Sequence, residues 1–290
     1  MVKDKTAGSR LFDIFNYLLL LLVALVVFLP IMHVVMSSFA TVEEMARKPF
    51  ILIPETFTLV AYRYVLSTGA VFKALGVSAG ITIVGTAVSM FTTSLMAYGL
   101  TRRDLDGRKV INFLIVFTML FSGGLIPTFL VVKELGLINS YWALIIPNAV
   151  SAFNLVIMRS FFMNLPDGIE ESARIDGCSD FGTLFRIVLP LSMAVIATIS
   201  LFYAVYFWNS YQSAILYIND AEKWPLQVLL RQIVLVASGI SADTANDFVQ
   251  PPEQTVKMAV IVIATVPILL VYPFLQKYFA KGALVGSVKG

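Results

Sequence analysis

The sequence predicts an all-α, polytopic membrane protein with six transmembrane helices. Three observations carry that expectation. Of the 290 residues 58% are hydrophobic and only 13% charged, whereas a soluble domain is about 45–50% apolar and about 25% charged. So little charge leaves too little polar surface to cover a water-soluble globule, and the mean hydropathy of +0.85 agrees. Charge-free apolar stretches close to the roughly 20 residues that a spanning helix needs recur along the chain.

In order, these stretches are residues 14–36, 74–98, 110–132, 141–158, 187–208 and 258–276. The first exceeds the about 7–15 apolar residues of a secretory signal core. It contains Pro30 and runs into Met36-Ser37-Ser38-Phe39-Ala40 with no clear cleavage site, so it reads as a retained helix. The second carries Gly76-Val77-Ser78-Ala79-Gly80, a small-xxx-small pattern that permits close helix approach. The third carries Phe121-Ser122-Gly123-Gly124-Leu125-Ile126-Pro127, which loosens a helix and marks either a packing kink or a flexible, pathway-lining point. The fifth is cut from a charge-free run, 187–219, that is too long for one upright span.

Six spans put both termini on one side, and lysine and arginine bias that side to the cytoplasm. With the ends inside, the inner segments hold Lys3, Lys5, Arg10, Arg102, Arg103, Arg108, Lys109, Arg159, Arg174, Arg186, Lys277, Lys281 and Lys289, and the outer segments hold fewer, spread over more residues. The resulting outer loops are 37–73 and 209–257, with a tight turn at 133–140, and the inner loop is 159–186. The stretch 238–252, rich in Gly, Asp, Asn and Pro, reads as irregular loop.

Several functions are disfavoured. No span has an ionisable residue in its middle, which argues against an ion-coupled carrier. An intramembrane enzyme lacks a His/Glu metal motif or an accessible nucleophile pair. The lone histidine, His33, has no partner cluster for a metal and reads as an interfacial polar residue. The net charge of +3, without a basic run interleaved with aromatics, sets nucleic-acid binding aside. The single cysteine, Cys178, excludes an intrachain disulfide.

The inner loop is the informative segment. It reads Asn164-Leu165-Pro166-Asp167-Gly168-Ile169-Glu170-Glu171-Ser172-Ala173-Arg174-Ile175-Asp176-Gly177. Asp167 with Glu170 three residues on makes a variant capping box. Gly177 suits the left-handed position that ends a helix, Ser179 can cap a second short helix, and Pro190 sits just inside the next span. The pattern predicts a short helix, a glycine turn and another helix at the membrane surface, leading straight into the fifth span.

Here the chain resembles a known family. Glu171-Ser172-Ala173, three residues, Gly177, nine residues, then Ile187-Val188-Leu189-Pro190 resembles the EAA loop of binding-protein-dependent ABC importer permeases, with Ser172 where alanine is usual. Six spans with this loop between the fourth and fifth, and the tail from Lys281 to Gly290, are similar to the maltose-type carbohydrate permeases. The segment from Phe121 to Pro127 resembles a subgroup importing complex or acidic oligosaccharides, such as pectin- or alginate-derived ones.

The resemblance implies a type I ABC importer permease fold, a single transmembrane domain over 1–290 in the cell membrane, a coupling loop over 159–190, an extracytoplasmic loop over 209–257 and a cytoplasmic tail over 277–290. It implies no cofactor in this chain, since no G-x-x-x-x-G-K-[ST] phosphate loop is present; ATP and Mg2+ belong to a partner ATPase dimer. A second homologous permease subunit and an extracellular solute-binding protein complete the set, and the 209–257 loop is the one that reaches into that binding protein. Residues implied in ATPase coupling are Glu170, Glu171, Ser172, Ala173, Asp176, Gly177, Leu189 and Pro190, with Glu171 reaching a basic group and Ala173 packing into the ATPase groove. Since sugars are held by aromatic stacking and amide hydrogen bonds, Asn148, Asn154, Trp208, Asn209, Tyr211 and Gln212 are candidates to face a central path, with Trp208 and Tyr211 alternatively interfacial anchors. The other reading is an ABC permease for another solute, such as peptides.

Overall fold

The computed structural model describes residues 7–67, 69–102, 104–166, 168–237 and 254–287. Among them every regular element is helical. They form two compact units, Met1–Gly69 with Leu230–Thr265, and Ala70–Leu229 with Val266–Gly290.

The first unit begins with α1, Ala7–Ser37, which is apolar all round, with Leu21 and Phe28 both more than half exposed. Such a helix suits a lipid surround. The expected outer loop after it is partly helical, as α2 (Val42–Arg47) and α3 (Val60–Ser67). A buried carboxylate organises it: Glu44 accepts the Glu55 N–H at 3.0 Å and the Lys48 ammonium at 3.3 Å. Lys48 also bonds Glu55 at 2.7 Å and holds that carboxyl below its usual range. His33 Nδ1 accepts the Ile51 N–H at 3.0 Å and its ring stacks on Phe50 at 4.5 Å, so it fastens the loop to α1.

The second unit is built on α4, Gly69–Thr101. Then come α5 (Arg108–Leu120), α6 (Leu125–Glu134), α7 (Trp142–Ile145, continued by a 3-10 turn to Asn148) and α8 (Ala152–Met163). The next elements are α9 (Gly168–Ile175), α10 (Asp180–Thr183), a π-helical turn Leu184–Val188, α11 (Leu189–Leu191), α12 (Met193–Trp208) and α13 (Gln212–Tyr217). The boundaries between units fall within α14 (Leu226–Ala237) and α15 (Gln254–Ser287). The expected loop 238–252 and the last residues of the tail, 288–290, lie outside the described residues.

Among the described residues three helices, the first, α4 and the first part of α15, are each long and apolar enough to cross a membrane; three bent pairs qualify only together, giving up to six spans. The expected third span is broken: α5 and α6 meet at 117°. Gly124, at φ +85°, sits in a backbone region that side chains avoid, and Pro127 falls in the first turn of α6, where its missing N–H loses nothing. The fourth bends by 50° at 149–151, and α8 continues to Met163, so Arg159 lies within a helix rather than at the start of a loop.

The expected fifth span needs correction. Residues 187–190 do not lead straight into it, because the segment Asp180–Leu191 meets α12 at 88°. Pro190 has no N–H for an i−4 carbonyl and its ring crowds that carbonyl. The chain widens into a π turn before it, with Leu189 N–H bonding Leu184 O, and turns at Ser192 after it.

Close packing centres on α4, but not at the expected pair. A Cβ on Gly76 or Gly80 would meet nothing within 4 Å in this chain, whereas one on Gly85 would lie 2.8 Å from the Phe207 ring of α12. Gly85→Ala is therefore expected to lower the apparent unfolding midpoint of the purified chain in detergent, by an overpacking cost of about 1–3 kcal/mol. Gly76→Ala is expected to leave it unchanged or raise it slightly, since alanine is the better helix former.

Candidate functional site

The segment between α8 and α12 folds as two short helices around a glycine turn. In α9, Ile169, Glu170 and Ala173 face inward and Glu171, Ser172 and Ile175 outward. Gly177 has φ +78°, and Cys178 N–H bonds Ala173 O at 2.9 Å, the six-to-one bond of a Schellman ending. Ser179 caps α10 as expected, accepting the Gly182 N–H at 3.2 Å. Asp167 lies outside the described residues.

Two placements differ from the expectation. Ala173 is 4% exposed, buried by this chain's own fold, so its side chain is unavailable to a groove on another protein. Glu170 has a partner outside its own helix: its carboxylate meets the Arg102 guanidinium at 2.8 Å, and the same guanidinium bonds Asp180 in the first turn of α10. Arg102 ends α4's side of this contact, lies 4.6 Å over the Tyr98 ring and is 16% exposed. Leu189 packs on the apolar core. Glu171, Ser172, Asp176, Gly177 and Pro190 are exposed, with the Ser172 hydroxyl turned back to Gly168 O at 2.8 Å. Ile175, 86% exposed, and Phe181, 68% exposed, are apolar residues on the outer face that the sequence reading passed over. Their signal was present, since a large apolar side chain in a polar surface helix has no packing reason of its own.

A cavity of about 490 Å³ opens where the fourth span bends. Asn148, Ser151 and Asn154 line it from α7 and α8, and Phe153, Phe202, Tyr203 and Tyr206 complete an aromatic wall. Asn148 donates to Leu144 O at 3.1 Å, and Asn154 is buried. The buried Tyr203 hydroxyl accepts the Ser151 N–H at 2.9 Å and shares a second hydrogen bond with the Thr93 hydroxyl at 2.7 Å. It thereby replaces the helix bond lost at the bend.

Of the expected path residues, Asn148 and Asn154 are brought together here, and the other four are not in the lining. Trp208 is buried, which excludes an interfacial anchor, and its indole N–H has no hydrogen-bond partner among the described residues. Asn209 donates to Val205 O at 2.8 Å and accepts from Gln227 at 3.4 Å. Gln212 opens α13 at the surface and Tyr211 packs against the core. The missed lining had a readable signal: polar residues recur every third position at 148, 151 and 154, opposite Tyr203 and Tyr206.

Broken spans around a neutral, aromatic and amide-lined cavity, with a capped surface helix between two of them, define a membrane transport permease. Residues 77–285 match the family described as "Binding-protein-dependent transport system inner membrane component", and the chain belongs to that family. It is similar to the polygalacturonan/rhamnogalacturonan transport system permease protein YtcP of Bacillus subtilis (strain 168), with 64% identity covering 97% of this chain and 99% of the relative. Protein LplC of the same organism is 54% identical over 98% of this chain and 97% of its own length. A solved bacterial ABC transporter involved in the import of the acidic polysaccharide alginate has a chain of 31% identity that superposes with a TM-score of 0.88, covering 96% of this chain and all of that one. The chain is thus a multi-pass ABC importer permease, a transport subunit that works with a separate ATPase and a solute-binding protein.

The Tyr203 hydroxyl serves two partners at the cavity wall. Tyr203→Phe and Thr93→Val are each expected to destabilise the chain, by about 1–3 kcal/mol for the buried group left unpaired. The double variant is expected to fall short of the sum by at least about 0.5 kcal/mol, measured from unfolding midpoints in detergent.

Proposed function

We propose that this chain is one of two homologous permease subunits of an importer for acidic, uronate-containing oligosaccharides. Its termini are cytoplasmic and its 159–190 loop docks on an ATPase dimer that binds ATP and Mg2+. The observation that carries the coupling role is the division of α9 into two faces: Ala173 is locked into the permease while Glu171, Ser172 and the 86% exposed Ile175 are presented outward. Such a helix is fixed to its own chain and still offers an apolar anchor with an acid beside it. The acidic substrate class is supported by the relatives named above, and its sugar character by the cavity. Its lining holds aromatic faces and amides but no charged side chain, so this chain's share of the path recognises sugar faces rather than carboxylates. The 209–257 loop, with α13 and α14 inside it, faces the solute-binding protein.

The test is reconstitution with the second permease, the ATPase and the binding protein in vesicles, with uptake of a labelled galacturonate oligomer. ATP-dependent uptake is expected; uptake of a labelled peptide but no uronate oligomer would overturn the substrate class. Asn148→Ala and Asn154→Ala are expected to lower uptake with the ATPase still bound, whereas Asn209→Ala leaves it unchanged.

Ile175→Asp is expected to release the ATPase on co-purification, and Glu171→Ala to weaken its retention less. Gly177→Val is strained by about 1–2 kcal/mol or more at a positive φ and is expected to reduce both association and uptake. Ala173→Arg is expected to do the same by dislodging α9 from its own permease. For topology, with Cys178 replaced by serine, a cysteine at Glu55 is expected to react with an impermeant reagent outside intact cells and one at Ser172 to resist it; reaction at Ser172 would invert the assignment.

A further inference from the structure

We propose that Arg102 is a positioning residue that makes the second span, α4, move as one body with both helices of the coupling loop. The proposal rests on the loop docking on the ATPase, as argued above.

The chain route from α9 to the fifth span is indirect. It passes a glycine turn at φ +78°, a π turn and an 88° bend before α12 begins. A displacement applied to α9 changes direction at each of these. The route through space is shorter. Arg102 is the residue just after α4, and its planar fork reaches Glu170 at 2.8 Å and Asp180, on the two sides of the Gly177 turn. Each acid lies in the first turn of its helix, where the helix dipole already favours negative charge. One guanidinium therefore closes the turn and fastens both helices to α4. Stacking on Tyr98 and an exposure of 16% for the arginine and 35% for Glu170 partly shield that pair from the solvent screening that makes surface ion pairs weak, whereas Asp180, 66% exposed, makes the more screened of the two bonds. Lysine carries the charge but lacks the fork that holds two carboxylates at once.

The end of α4 is held by its neighbours as well. Arg159 of α8 donates to Leu100 O at 3.2 Å, and Arg108 of α5 donates to Arg102 O at 3.2 Å. Further along, α4 carries Gly85 against Phe207 and Thr93 against Tyr203, whose hydroxyl bonds Ser151 at the cavity wall. A movement received at Arg102 thus reaches the cavity along one continuous helix.

The test separates positioning from simple stabilisation. Spin labels at Met96 and Ser172, both exposed, report the distance between α4 and α9 in the purified permease pair. A narrow distribution is expected for the wild type, a broad one for Arg102→Gln, and an intermediate one for Arg102→Lys. In the assembled importer in vesicles, Arg102→Gln is expected to retain the ATPase while substrate moved per ATP hydrolysed falls by about 2- to 30-fold, the usual range for residues that carry coupling between sites. Arg102→Lys is expected to recover part of that ratio. Glu170→Gln and Asp180→Asn are expected each to lower it, and to add little to Arg102→Gln. An unchanged ratio in Arg102→Gln, an unchanged label distance, or loss of the ATPase from Arg102→Gln with a narrow distance distribution would each overturn the proposal. If instead Ile175→Asp keeps the ATPase and full uptake, the docking reading fails by itself, and the label distance still reports whether Arg102 joins α4 to α9.

Discussion

A peptide group in hydrocarbon has no water to bond, so each N–H and C=O must find its partner inside the protein. That constraint shapes the chain most visibly where its helices break. At the break between α5 and α6, the Gly124 N–H reaches Ser122 Oγ at 3.3 Å and the Thr128 hydroxyl donates to Gly124 O at 2.8 Å. Where the fourth span bends, the Thr92 hydroxyl lies 2.9 Å from both Ala149 O and Val88 O and shares its one proton between them, and Ser151 N–H goes to Tyr203. At the turn before α12, the Ser192 N–H is shared between the Val188 and Leu189 carbonyls, both at 3.0 Å. Hydroxyl side chains thus stand in for missing helix bonds, and a cavity can open at one of these breaks without stranding backbone groups.

Many of these substitutes come from or lean on α4. It supplies Thr92 and Thr93 to the bend of the fourth span, and its buried Ser78 hydroxyl accepts the Leu226 N–H at the start of α14 at 2.8 Å. Its small residues bring other elements close, as Gly85 does for Phe207. Since lipid gives no hydrophobic drive for one apolar helix to prefer another, such close contacts and hydrogen bonds carry the specificity of packing. The same helix ends at the arginine that joins the surface loop, so packing within the membrane and control from outside it share one element.

The surface loop itself shows how a short helix serves two masters. Ile169, Glu170 and Ala173 hold α9 to its own chain, while Glu171, Ser172 and Ile175 remain available to a partner. A helix this short is marginal without tertiary support, so the inward face and the Arg102 bonds are what give the outward face a defined position.

The helical spans, the short surface helix and the glycine that ends it were legible in the sequence, because each follows from local chemistry. Apolar runs of spanning length have one environment open to them, and Gly177 between a helix and a Ser179 cap has few conformations open to it. The family was legible for a related reason: the spacing from Glu171 to Pro190 reflects a fixed local geometry. The bend angles were not, because Pro190 and Gly124 announce a break but neighbouring helices decide how far it opens. The sequence did not show that Ala173 turns inward, nor that Trp208 is buried while Asn148 and Asn154 share a cavity with Tyr203. Those outcomes, and the bonds from Arg102 to partners 68 and 78 residues away, rest on contacts between distant segments, which only the packed tertiary structure decides.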